Sequence, residues 1–230
     1  MKKLLLSSTL ALGLASGLFA DTINPAASIG GAATGSDYFN FDLLSTGSGP
    51  QTAWSTAGSS VDVSFTAPDS GVVLGSSNNV YAAPYLTGGN GTGFGSPNQP
   101  NGQDSTNYLT SGTGSVTLDF GVELTYLGLL WGSVDDYNTL SFYNGAVLVG
   151  SFTGVDVLAL PDGYQGPGGS VYVNFNDVDG VFTKVVLTSS TNAFEIDNVA
   201  INHVGVPDSG TTIALLGVGL MGLAAFRRRF

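Results

Sequence analysis

Hydrophobic and polar positions alternate with a period of two through most of the chain's interior. In Ser115 to Phe120, Val116, Leu118 and Phe120 share one face and Ser115, Thr117 and Asp119 the other, which predicts a half-buried strand. Ser170 to Asn176 repeats the pattern with Val171, Val173 and Phe175 inward, and Val61, Val63 and Phe65 do so earlier. Thr125 to Trp131 is apolar on both faces and predicts a central strand. Asn144-Gly145 between Thr139 to Tyr143 and Ala146 to Phe152 predicts a hairpin closed by a type I′ turn. In Ala193 to Ile201 the parity slips at Asp197-Asn198, which predicts a β-bulge.

No interior stretch sustains a 3.6-residue apolar period. Short strands parted by Gly, Pro, Asn and Asp clusters predict an all-β fold, a single antiparallel two-sheet sandwich of jelly-roll type spanning residues 21–205. Two segments read as looser. Asn24 to Gly35 is a small-residue lead-in, and residues 86–115 form a Gly/Asn-rich loop region too long to be an idle connection.

The two ends break the pattern. Lys2 and Lys3 precede an apolar run from Leu4 to Phe19, then Ala20 and polar residues, the order of a secretory signal peptide over residues 1–20. Cleavage by signal peptidase is expected after Ala20, with a cut after Gly17 as the alternative. The other end reads Val206-Pro207-Asp208-Ser209-Gly210, then an apolar helix over residues 211–226, then Arg227, Arg228 and Arg229. Sixteen helical residues rise about 24 Å, a marginal span of a hydrocarbon core of about 30 Å. The arginines are expected to stay cytoplasmic and hold the body outside the inner membrane.

Composition sharpens this. The chain has no Cys and one His, which excludes a disulfide framework and a thiolate centre and makes a histidine relay improbable. Five of the six Lys and Arg lie at the extreme ends, whereas 16 of the 17 Asp and Glu lie between Asp21 and Gly205 beside Lys184 alone. Nucleic acid is thereby excluded as a partner, since phosphate binding needs a basic surface.

The tail resembles the PEP-CTERM class of bacterial sorting signals in its VPDSG variant, over Val206 to Arg229. That resemblance implies an exosortase, an integral membrane enzyme that recognises the motif and removes helix and arginines; a permanent single-pass anchor is the alternative. Asn107-Tyr108-Leu109, Leu129 to Asn138 and Ala193 to Val199 also resemble a family of exosortase-dependent bacterial surface proteins. The resemblance implies a β-rich ectodomain at the cell surface or in the extracellular matrix, with no assigned activity.

Three constellations carry candidate chemistry. Asp135, Asp136, Tyr137 and Asn138 follow Trp131 and offer an aromatic face with acceptors for sugar hydroxyls; the alternative is a turn beside a core tryptophan. Adjacent carboxylates point to opposite faces and make poor glycosidase partners. Glu195 and Asp197 share a polar face and, with Asp37 or Asp42, are candidates for a structural Ca2+ at the sandwich rim, against plain solvent exposure. Asp177 to Gly180 fails as an EF-hand and reads as a turn, and His203 reads as part of the exit linker. The expected function is a non-enzymatic surface protein. A calcium-dependent carbohydrate-binding module that takes exopolysaccharide is the alternative, and a glycan-active enzyme the third. No catalytic residue is assigned.

Overall fold

A computed structural model describes residues 22–31, 34, 35, 37–66, 68–94 and 98–204. The helices expected at the two ends, over 1–20 and 211–226, lie outside the described residues. Among those that are described, no helix is long and apolar enough to cross a membrane.

The first strands are β1 (Ile23–Ser28), β2 (Asp37–Phe39), β3 (Gln51–Trp54), β4 (Ser60–Thr66), β5 (Gly71–Leu74), β6 (Tyr85–Leu86), β7 (Gly102–Gln103) and β8 (Asn107–Ser111). Then come β9 (Ser115–Gly132), β10 (Asn138–Asn144), β11 (Val147–Thr153), a single helical turn α1 (Gly154–Val157), β12 (Val171–Asp177), β13 (Phe182–Ser189) and β14 (Phe194–His203).

The two runs expected as separate strands on either side of Gly121 are one 18-residue strand, β9. It bends at Gly121, whose φ of +64° suits glycine, and the bend lets one strand serve two sheets. Residues 115–119 of β9 pair with β4 and β13, giving the order β11-β10-β13-β9-β4-β3. Residues 124–132 pair with β12 and β14, giving β1-β12-β9-β14-β8-β5, with β2 on the far end of β14. All these pairings are antiparallel. The inner faces meet in one apolar core that includes Val116, Leu118, Phe142 and Leu187 from the first sheet and Leu127, Leu129, Phe175 and Ile196 from the second. Trp131 is fully buried in it and stacks on Phe194, ring centroids 4.3 Å apart.

The outer face of the second sheet is buried too. Tyr126, Leu130, Tyr172 and Ala200 form a second apolar cluster there with Leu86 and Phe94. Those two come from the chain between β5 and β8, which lies over this face as a roof. The Phe94 ring meets Tyr38 edge-on at 5.5 Å and Tyr172 at 5.7 Å. Polar ties complete the attachment: the Tyr85 amide donates to Ser170 Oγ at 2.9 Å, and Asn198 Nδ2 donates to the Asn90 carbonyl at 2.9 Å.

Four expectations change. Within the 86–115 region, residues 86–94 and 98–106 are a cover over the outer face and residues 107–111 are strand β8, because the outer face needs apolar partners that the sheet alone lacks. Within the lead-in, residues 23–28 form β1 along β12. The hairpin turn sits one residue later: Asn144 pairs with Val147, so Gly145-Ala146 make the connection, with Gly145 at φ +59° and a bulge at Phe142/Tyr143. His203 is the last residue of β14, with Nε2 3.0 Å from Ser59 Oγ. The bulge at Asp197-Asn198 is present, with Asn198 at φ +50°.

Phe94 anchors the roof and touches nothing in the inner core cluster, so Phe94→Ala should loosen the cover before the sandwich. Amide exchange between Leu86 and Gln103 is expected to speed up tenfold or more, about 1.4 kcal/mol of local stability, with little change in the core strands. Uniform acceleration through β9 and β14 would contradict this.

Candidate functional site

Alternation along β14 puts Glu195 and Asp197 on the outer face, since Asp197 lies opposite Leu130 of the outer cluster. A carboxylate there would ordinarily meet water. The roof instead buries both, Glu195 to 1% and Asp197 to 0% exposure.

Glu195 forms part of the wall of a cleft of about 460 Å3 at one end of the second sheet. The loop after β5 supplies Ser76 to Ala82, the turn after β9 supplies Ser133, Asp135 and Tyr137, and Asp162, Gln165 and Asn192 complete the rim. Glu195 is held at both oxygens: Oε1 accepts the Ala82 amide at 2.8 Å and Oε2 accepts the Ser133 hydroxyl at 2.5 Å. Burial raises its pKa to about 7, against hydrogen bonds from Ser133 and Ala82 that favour the ionised form. Burial also raises the pKa of Asp135, with Asp136 and Asp162 adding to the effect and the Tyr137 hydroxyl opposing it. Gly163 stands at φ +70° beside Asp135; a Cβ there would come within 2.6 Å of Asp135 Oδ1, so glycine gives that carboxylate its room.

The other predicted residues divide. Asp136 is exposed. Asn138 is fully buried and part of the scaffold: Oδ1 accepts from the Asp135 amide and Trp131 Nε1, while Nδ2 donates to the Ala193 carbonyl at 3.0 Å and Ser189 Oγ at 3.1 Å. The turn reading and the cleft reading of this segment therefore coexist, with Asp135 and Tyr137 facing the cleft and Asn138 holding the turn. Asp37 lies away from Glu195 and Asp197. Burial works against its carboxylate, yet hydrogen bonds from Ser59, Ser55 and the Ala57 and Tyr38 amides hold its pKa below the ordinary value. His203 Nε2 is 3.8 Å from Asp37 Oδ2.

Asp42 and Asp197 do come together, under the roof, and Asp104 joins them. Asp197 has its pKa pushed well up by burial, with Asp104 and Asp42 adding charge repulsion. Asp42 is raised in the same way, first by burial and further by the charge of Asp104, with the nearby Thr106 hydroxyl opposing the shift. Sequence reading missed Asp104, Ser133 and Gln99. Asp104 and Gln99 lie in a stretch without periodicity, where nothing marks which side chains turn inward. Ala20, Val206 to Gly210 and Arg227 to Arg229 lie outside the described residues.

Comparison with known proteins bears first on the tail: residues 205–230 match the VPDSG-CTERM motif. No curated protein matches the chain. Among solved structures it is similar to the carbohydrate binding module CBM6cm-2 from Cellvibrio mixtus lichenase 5A in complex with cellotriose. The identity is 11%, over 74% of this chain and 98% of that chain, with a TM-score of 0.28. So loose a superposition leaves the cleft's chemistry to rest on its own side chains.

Glu195 fixes the sign of a pH dependence. Between its unperturbed value of 4.5 and about 7 the fold keeps a proton that the unfolded chain has released, so stability falls as pH rises through that window. Urea unfolding at pH 5 and pH 8 should show the wild type losing on the order of 3 kcal/mol more than Glu195→Gln; parallel profiles would refute the assignment. Asn138→Ala should cost about 3 kcal/mol at either pH, because it strands a buried indole N–H, an amide N–H and a carbonyl.

Proposed function

We propose that this chain is an exported, non-enzymatic surface or extracellular-matrix protein, sorted and processed by an exosortase-type enzyme, whose ectodomain takes hold of a neutral glycan in the cleft. The tail supports the sorting half. Residues 205–230 carry the VPDSG-CTERM motif, followed by an apolar run and three arginines that favour the cytoplasmic side.

The observation that carries the binding half is the lining of the cleft. Serine, asparagine, aspartate and glutamine side chains surround it, Tyr81 and Tyr137 give it ring surface, and no base is among them. Clustered carboxylates and amides match vicinal hydroxyls, which both donate and accept, and a tyrosine face suits the apolar face of a sugar ring. An anionic polymer is disfavoured because Asp135, Asp162 and Glu195 would repel it with no counter-charge at hand.

The way Glu195 is held supports binding without hydrolysis. A glycosidase acid must present its proton to the glycosidic oxygen across a cleft from a second carboxylate. Here both oxygens of Glu195 are already engaged by Ser133 and Ala82, and the group is buried to 1% exposure.

Titration of the full-length chain in detergent with a panel of soluble neutral and acidic bacterial exopolysaccharides tests this. Neutral polymers should bind, Asp135→Asn and Tyr137→Ala should each weaken binding about tenfold, about 1.4 kcal/mol, and no new reducing ends should form. Equal binding of acidic polymers, or none at all, would overturn the glycan half. The sorting half is checked by intact mass: mature protein is expected to have lost the apolar segment and arginines, and mature protein ending at Phe230 would identify a permanent anchor.

A further inference from the structure

Five buried side-chain oxygens on residues around the join of the roof and the β14 bulge have no hydrogen-bond partner: Asp42 Oδ1, Gln99 Oε1, Asp104 Oδ2 and both oxygens of Asp197. Buried polar atoms are normally paired, so five orphans in one neighbourhood need an explanation. Their neighbourhood is established by the groups between them. Asp104 is near enough to Asp197 for its charge to raise the Asp197 pKa, and the Asp104 amide donates to the Pro84 carbonyl at 2.8 Å. Thr106 Oγ1 donates to Asp104 Oδ1 at 2.8 Å, and its hydroxyl also lies against Asp42.

Gln99 is the independent observation. Its side chain is 7% exposed and comes from a different part of the roof than Asp104. The Thr106 hydroxyl proton is committed to carboxylate, so Thr106 Oγ1 can only accept from the glutamine, which donates through Nε2 at 2.7 Å. That fixes the amide's orientation and leaves Oε1 as a buried acceptor with nothing donating to it.

Among the described residues no lysine or arginine lies at the cluster to neutralise it. Lys184, the one lysine or arginine among the described residues, lies on β13 with Nζ 5.2 Å from the Tyr143 ring centroid. A single proton shared between Asp104 and Asp197 would satisfy two of the five oxygens at most. We propose that Asp42, Asp104, Asp197 and Gln99 bind one Ca2+ that fastens the roof to the β14 bulge.

The donor set fits that ion. All five atoms are oxygen, four from carboxylates and one from an amide, without nitrogen or sulfur to favour zinc or copper. Ca2+ accepts six to eight oxygens in flexible geometry, so five side-chain donors plus water suffice, whereas Mg2+ demands a stricter octahedron. Among the described residues no three His, Cys, Asp or Glu side chains stand close enough together, as they lie, to hold a metal ion. Binding would require the carboxylates to rotate inward onto the ion. The loop that carries Asp42 is tied next to Thr106, since Asn107 Nδ2 donates to the Leu44 carbonyl at 2.8 Å.

The proposal is independent of the glycan reading, and its test uses no sugar. Full-length chain in detergent, stripped with chelator, is titrated with CaCl2 by calorimetry and melted with tryptophan fluorescence as the readout. One site per chain is expected. At 100 times the Kd the melting temperature should rise by about 5–10 °C, and equimolar MgCl2 should give far less. Proteolysis between Leu86 and Gln103 should slow on adding Ca2+. Asp104→Asn and Asp42→Asn should each lose at least tenfold in affinity, and Gln99→Leu should lose less. If a variant fails to fold, the wild-type titration and proteolysis still decide. Absence of heat and of any melting shift in the wild type would overturn the site. So would full affinity in both Asp104→Asn and Asp42→Asn, which would put the ion elsewhere.

Discussion

The structure turns on the roofing of one sheet face. The second sheet presents Tyr126, Leu130, Tyr172, Glu195 and Asp197 on its outer side, and neither rings nor carboxylates can be left as they stand. Apolar surface there favours cover by about 25 cal/mol for each Å2 removed from water. Carboxylates resist cover, because each loses hydration that must be replaced by specific partners. The chain between β5 and β8 meets both demands. Leu86 and Phe94 supply apolar contact, and the segment around them supplies an amide for Glu195 and a second carboxylate for Asp197.

Two residues of one strand thereby acquire opposite roles. Glu195 is paired at both oxygens and faces the open cleft, so it stiffens a wall. Asp197 is paired at neither and lies against the underside of the roof. What separates them is the bulge directly after Asp197, where Asn198 takes φ +50° and sends its side chain to the Asn90 carbonyl. A regular strand would keep residues 199 and 201 on the outer face with Asp197 and turn residue 200 inward. The extra residue lets Val199 and Ile201 enter the core while Ala200 joins the outer cluster, and it leaves Asp197 beside the join.

Much of the sandwich could be read from alternation alone. Val116, Leu118, Val171, Val173 and Phe175 face inward as their parity requires, and the parity slip in β14 marks the bulge. Parity reports which face a residue occupies and is silent about what lies on top of it. Glu195 and Asp197 therefore read as candidates for solvent, and the roof read as a loop, because its contacts are long-range and its small polar residues carry no period. Asn138 shows the same limit: an amide after two aspartates looks like a surface acceptor until Trp131, Ala193 and Ser189 are seen to surround it. The hairpin erred by one residue because Asn-Gly signals a turn, while the bulge in the partner strand decides its register.

A roof of this kind poses a problem for a chain without cysteine. Covers of low apolar content on extracellular domains are commonly held by disulfides, and none can form here. The acids that face the roof also repel one another, so the closed arrangement stores charge that the open one would release to water. The proposed Ca2+ would reverse that balance, since the same three aspartates that oppose closure would become its ligands. The acidic interior of the sequence, which as bulk charge only weakens a compact state, then has a local use. With that ion the stability of the cover would depend on calcium, and so would the cleft wall, where Ala82 of the roofing segment meets Glu195 of β14.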